Sequence, residues 1–274
     1  MLICTYIAIK NLYFTADMRY NILEKLYSKG CLPMTEYGLQ IYSVKDSALH
    51  DMDGTLAKVA EMGYTYAEFS SFYGCTPEDI KGMLEKYNLK ISGIHASWQD
   101  LKPSKIYETI AKHKIVGNPY YIIPGADLST LEKIEEFCAV MNYAQPILAA
   151  ENIRLGYHNH SHEFVVMPWG STIHAELERR TNIDFELDTF WVFHAGADPI
   201  AVLERLKDRI RVIHLKDGLE DGAGRSLGLG VAPVKAVREK AIEMGLTMVV
   251  ESEGRQPTGI EEVTRCIEYL KTLE

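Results

Sequence analysis

The sequence predicts an α/β protein: a (β/α)8, or TIM, barrel in a single domain, preceded by a short N-terminal extension. Three observations predict it. From Tyr37 to the end, short apolar runs alternate about eight times with longer segments of helical period. The runs are nearly continuous in apolar residues, as strands covered on both faces are. Setting aside the first 33 of the 274 residues leaves 241, close to the roughly 250 typical of such a barrel. The runner-up is a doubly wound open sheet. It is weakened because no G-x-G-x-x-G or G-x-x-x-x-G-K-[ST] follows any strand.

Residues 1–33 stand outside this rhythm. They carry a helix signal in MRYNILEKLYSKG, ended by Gly30 and followed by Pro33. Two readings stay open: a cap on the bottom face of the barrel at 34–274, or an extension before a natural start at Met34. The expected strands are residues 37–43, 64–70, 90–96, 120–125, 153–160, 183–190, 211–217 and 247–253. Helix signals lie between them, including DGTLAKVAEMG, TPEDIKGMLEKYN and TGIEEVTRCIEYLKTLE. The second opens with Thr76 as N-cap and Pro77 at the first helical position. Gly63, Asn88 and Gly245 read as helix stops just before strands.

Composition excludes several classes. With 29 Lys+Arg against 38 Asp+Glu, the formal charge is −9, and no basic run exceeds two residues. This is not the electrostatic footprint of a nucleic-acid binder. The five cysteines (Cys4, Cys31, Cys75, Cys138, Cys266) are odd in number and widely spaced. Neither a disulfide framework nor a cysteine zinc site is expected, and a cytoplasmic location fits. No signal peptide and no membrane span are expected. A homo-oligomer remains open.

In a parallel barrel the C-terminal strand ends converge on the active-site face. Here those ends carry, in order, Gln40; Glu68; His95; Pro124 and Gly125; His158, His160 and Glu163; Asp188; His214, Lys216 and Asp217; and Glu251 and Glu253. Seven of eight deliver an ionisable or amide group. Asp188, His214 and Glu251 close three consecutive strands, and carboxylate plus imidazole suits Mn²⁺, Mg²⁺, Co²⁺ or Zn²⁺. A fourth ligand is expected from YHNHSHEF, where period-2 alternation puts His158 and His160 on one face. Glu68 reads either as a group near the substrate or as a rim carboxylate paired with a lysine. Trp98, after His95, reads as a sugar-stacking wall or as loop packing. His162 is read as a loop residue and Glu186 as structural, either inward in the lower layer or paired there with a lysine or arginine; Tyr120 and Tyr121 are read as packing, and His50 and His113 as solvated. Arg225 and Arg255 lie in the loops where such barrels bind phosphate, although solvated loop arginines are the commoner case.

From about Tyr37 onward the chain resembles the sugar phosphate isomerase/epimerase family with the xylose isomerase-like barrel. The residues that carry the resemblance are YGLQIYSV, GYTYAEF, SGIHASW, GYHNHSHEF, LDTFWVFHAG, IHLKD and VVESE. It implies one divalent metal ion, most often manganese, binding two oxygens of a polyol or keto sugar, with Asp188, His214 and Glu251 as ligands. The family's fifth-strand glutamate is absent, because Gly156 falls at its place. His158, His160 or Glu163 must then complete the shell, and His160 is the first choice. Leu229, in LGLG, also replaces an acidic residue common in the family.

The implied chemistry is proton transfer next to a carbonyl through a metal-stabilised enediolate. Glu251 is expected as ligand and base, with His160 or Glu163 as its partner. Lys216 would orient or polarise and be held by Asp217, while Gln40, Glu68, His95, Trp98, His158, Trp191, His194 and Glu253 would contact the carbohydrate. The alternatives are a dehydratase or keto-glycoside lyase using the same chemistry, and a non-catalytic sugar-binding relative. An abasic-DNA endonuclease of this barrel would need a basic DNA face, which a charge of −9 does not offer.

Overall fold

The structure is a computed structural model that describes residues 35–274. The readings placed on residues 1–33 lie outside the described residues. The eight expected strands all form: β1 (Tyr37–Gln40), β2 (Tyr66–Phe69), β3 (Lys90–His95), β4 (Tyr120–Ile123), β5 (Arg154–His158), β6 (Asp184–Asp188), β7 (Ile210–Leu215) and β8 (Thr247–Val250). Each pairs in parallel with its sequence neighbours, and β1 pairs with β8 to close the barrel. The observed strands are shorter than expected mainly at their C-terminal ends, where the chain turns into loops.

The helix punctuation works as the sequence indicates. Thr76 and Asp79 form a reciprocal capping box at the start of α2 (Pro77–Lys86), with Pro77 at its first position. Gly63 ends α1 (Met52–Met62) and Gly245 ends the helix Val234–Met244, both in the left-handed conformation. Asn88 also adopts positive φ.

Apolar packing falls in two places. The larger core lies between strands and helices, where outward residues such as Leu39, Phe69, Tyr157 and Leu187 are buried. A smaller plug of Tyr120, Ile122, Val212 and Val249 fills the barrel interior. Above this plug the interior turns polar. Among the described residues no helix is long and apolar enough to cross a membrane.

One sequence expectation is corrected here. His113 is buried rather than solvated. On α3 (Ile106–Val116) it shares the buried face with Ile106, Ile110 and Val116, a helical spacing already visible in the sequence. Its ring lies 4.7 Å from that of Tyr121, and Nδ1 is 2.8 Å from Asn118 Nδ2. Burial pushes its pKa down to about 4. The unfolded chain therefore binds more protons than the folded one between about 6.5 and about 4. Stability should fall as pH drops through that window, by about 3 kcal/mol in total. Thermal melts at pH 7 and pH 4.5 should show a shallower acid loss in His113→Leu than in the wild type; parallel losses would refute this.

Candidate metal centre at the barrel mouth

Alternation along the strands points Gln40, Glu68, His95, His158, Glu186, Asp188 and His214 into the barrel, and register sets them side by side. Gln40 is level with Glu68, His158 with Glu186, and Asp188 with His214. Lys216 and Glu251 follow just beyond β7 and β8. All nine side chains are buried. So many buried charges persist only when paired or bound to a cation.

The layer divides in two. At the mouth, His158, Asp188, His214 and Glu251 bring one ligand-type atom each within 4.8 Å of one another. Two of the available atoms are buried without a hydrogen-bond partner: His158 Nδ1 and Asp188 Oδ2. Glu186 Oε2 lies 3.2 Å from His158 Nδ1, but in a direction that makes no hydrogen bond. Orphaned imidazole and carboxylate atoms converging in this way fit a divalent cation.

Below this group lies a supporting network. Glu68 Oε1 is 2.7 Å from His214 Nε2 and accepts from Gln40 Nε2 at 2.9 Å. This leaves His214 Nδ1 on the Glu251 side, 3.2 Å from Oε2. Glu186 Oε2 is 2.6 Å from His95 Nε2. His95, His158, Glu186 and His214 form a second convergent set of ligand-type atoms.

Electrostatics sharpen the division. Burial alone would raise Glu68, but the charge and hydrogen bond of His214, together with His95, hold it below the usual range. Burial and the neighbouring Glu68 push Glu186 up to about 7. Burial likewise raises Asp188 to about 7 against the opposing pull of Lys216. Burial would lower Lys216, yet Glu251, Asp188 and Glu253 keep it firmly protonated. Its Nζ stands 3.2 Å from Glu251 Oε2, 2.6 Å from Glu253 Oε2 and 3.7 Å from Asp188 Oδ2. Burial, with the charges of His214 and His95, holds His158 well below its ordinary pKa, in the neutral form that binds metals.

The other expected residues fall in different places. His160 lies outside both groups. Strand pairing stops at His158, and the Asn159 amide then bonds both the N–H and the C=O of Asp188 (3.1 and 3.2 Å), so the alternation does not carry on to His160. Both Glu163 oxygens are engaged, Oε1 by Tyr157 Oη and Oε2 by His160 N, each at 2.8 Å. Exposed His162 is a loop residue whose Nε2 lies 3.1 Å from Glu163 Oε1. Trp98 packs edge-on against Phe137 in the outer core. Trp191 and His194 contact each other at 5.5 Å, and Trp191 Nε1 and His194 Nδ1 are buried without partners. The Lys216 ammonium sits 4.8 Å from the centre of the Trp191 ring.

Two expectations are corrected. Asp217 does not hold Lys216. Adjacent strand residues point to opposite sides, and the Asp217 carboxylate instead accepts from the backbone of Gly218, Gly228, Gly230 and Ala232. Glu186, read as structural, is a ligand-type residue of the inner layer. Asp184, Glu186 and Asp188 are three acidic residues at period two, a signal the sequence offered.

The comparisons with known proteins agree with this architecture. A family model described as a xylose isomerase-like TIM barrel matches residues 56–273. Inosose dehydratase of Geobacillus kaustophilus is 23% identical over 196 residues, covering 63% of this chain and 64% of that protein. Inosose dehydratase of Mesomycoplasma hyopneumoniae is 25% identical over 185 residues, covering 60% and 62%. The chain thus spans less than two thirds of these relatives' length. A sugar phosphate isomerase/epimerase structure from Parabacteroides distasonis superposes with a TM-score of 0.78 at 25% identity, covering 88% of this chain and 94% of that one. L-ribulose 3-epimerase, at 14% identity and a TM-score of 0.67, shares the fold. With the family model spanning nearly the whole barrel, the chain belongs to the xylose isomerase-like TIM-barrel family.

Proposed function

We propose that this protein is a cytoplasmic, divalent-metal-dependent isomerase or epimerase of a polyol or keto sugar, with manganese the foremost metal. The observation that carries this reading is the convergence of His158, Asp188, His214 and Glu251 at the barrel mouth, where His158 Nδ1 and Asp188 Oδ2 are buried without a hydrogen bond. These four residues would hold the ion. When bound, such a cation polarises a substrate carbonyl and stabilises the negative charge left when a neighbouring proton departs. Glu68 and Gln40 fix the ring of His214 from below. Lys216 offsets the carboxylates around it and can donate to a substrate oxygen. Glu251 or Glu253 takes the proton, and His160, held neutral chiefly by burial, returns it. Trp191 Nε1, a donor, and His194 Nδ1, donor or acceptor by tautomer, are unpaired and would meet sugar hydroxyls. The free Cys75, Cys138 and Cys266 suit a reducing compartment.

A second reading, dehydration, is favoured by two observations. The inosose dehydratases are among the relatives. In addition, a Cβ at Gly156 would meet Tyr120 Oη at 2.2 Å, so no opposing carboxylate can stand there as a second base. Elimination needs one base and an acid for the departing hydroxide, a role open to Lys216. Incubating the manganese-loaded protein with ketoses and inososes in D2O tests both. Deuterium uptake with a rearranged sugar is expected. Loss of water to an absorbing enone would assign the dehydratase, and no exchange with any substrate would end the enzymatic reading.

A further inference from the structure

The quartet occupies the ends of β5 to β8, and β1 and β2 continue the mouth beyond β8. Beside the carboxylates of Glu68, Glu251 and Glu253, that sector carries two cations and two tyrosines. Tyr42 follows β1, Tyr73 follows β2 and Arg255 follows β8. The Arg255 guanidinium lies 4.9 Å from the Tyr42 ring centre, and Lys45 Nζ lies 4.0 Å from it while donating to Tyr42 Oη at 2.8 Å. Tyr73 is within electrostatic reach of Tyr42, Arg255 and Glu251.

Three features set this cluster apart. Among the described residues, neither Lys45 nor Arg255 has a carboxylate partner, whereas Lys216 meets Glu251 and Glu253. Arg255 Nε is buried and, among the described residues, has no hydrogen-bond partner, while Nη2 donates to Tyr42 O at 3.3 Å. Arg255 and Tyr73 both sit in the left-handed region, at φ 48° and 51°, where neither residue is at ease. Such strain persists where surrounding structure enforces it, and it concentrates at ligand sites. A buried guanidinium N–H without an acceptor, sharing the Tyr42 ring with a second cation that has no carboxylate partner, is set for an oxyanion.

We propose that Arg255 and Lys45, with the Tyr42 and Tyr73 hydroxyls, form a subsite for a terminal phosphate or carboxylate of the sugar, which makes the substrate anionic. In choosing a sugar as the carrier, this inference rests on the function proposed above. Arg255 donates Nε–H to one oxygen of the group, Lys45 supplies the second charge, and the hydroxyls complete the shell.

Isothermal titration tests this. The manganese-loaded protein is titrated with a ketohexose, its 6-phosphate and the matching hexuronate, and the metal-free protein with inorganic phosphate. One charged sugar should bind about ten- to a hundredfold tighter than the neutral one, the range expected of charged hydrogen bonds. Whichever is preferred identifies the group as phosphate or carboxylate. In Arg255→Gln the ratio should collapse towards unity with metal content unchanged, and Lys45→Gln should lower it partway. Equal binding of charged and neutral sugars by the wild type, or a ratio untouched by Arg255→Gln, overturns the proposal. Failure of the metal-enzyme reading would look different: no bound manganese, with Arg255-dependent phosphate binding intact.

Discussion

Replacing His158 with glutamine is expected to release the divalent ion and abolish turnover, while His160→Gln leaves the ion bound. His158 Nδ1 is buried and makes no hydrogen bond, so the substitution breaks none there. His160 stands beyond the end of β5, with its ring 5.0 Å from that of His158 and outside the convergent quartet. Loss of a ligand should cost metal affinity more than the ten- to hundredfold typical of losing a residue that merely supports one. Glu68→Gln falls in that milder class, because it weakens the grip on His214 Nε2 while leaving all four ligands in place. Metal content after dialysis against a weak chelator separates the three variants. If His158→Gln retained its metal and His160→Gln lost it, the assignment of the fourth ligand would be reversed.

Asp217→Ala is expected to destabilise the fold by about 3–5 kcal/mol, among the larger effects a single substitution produces. The carboxylate is 1% exposed and accepts four backbone N–H groups between 2.9 and 3.0 Å. Three of these donors belong to residues 228–232, so one side chain folds the loop after β7 back onto its own strand. The loop follows closely enough that a Cβ at Gly230 would come within 2.2 Å of Asp217 Oδ1. Removing the carboxylate strands those donors, whereas Asp217→Asn, which keeps one good acceptor, should lose less. Urea melts rank the three proteins, and an alanine variant that unfolds with the wild type would refute the role. The same variant should leave metal content largely intact, because Asp217 points away from Lys216 and the quartet.

The barrel was legible because its signals are local. Near-continuous apolar runs mark strands sheltered on both faces, and Thr76, Pro77, Gly63 and Gly245 act through short-range capping. Asp188, His214 and Glu251 were legible as members of one cluster for a related reason: each ends an apolar strand, and all strand ends of a parallel barrel face one mouth. Glu186 and His113 carried periodic signals of their own, in the acidic alternation 184, 186, 188 and in the helix spacing 106, 110, 113.

By itself, then, the sequence determined the fold class, the strand order and the end of the barrel where polar groups meet. Only the tertiary structure decided between neighbours in the chain. It gave His158 rather than His160 to the quartet, since Asn159 ties to the backbone of Asp188 and ends the alternation. It turned Asp217 into the loop and Lys216 into the mouth, and it joined Gln40 and Glu68 to His214. Periodicity fixes which side of a strand a residue faces, but the residue at which a strand stops, and what stands across the barrel from it, follow from closure and register between segments far apart in sequence.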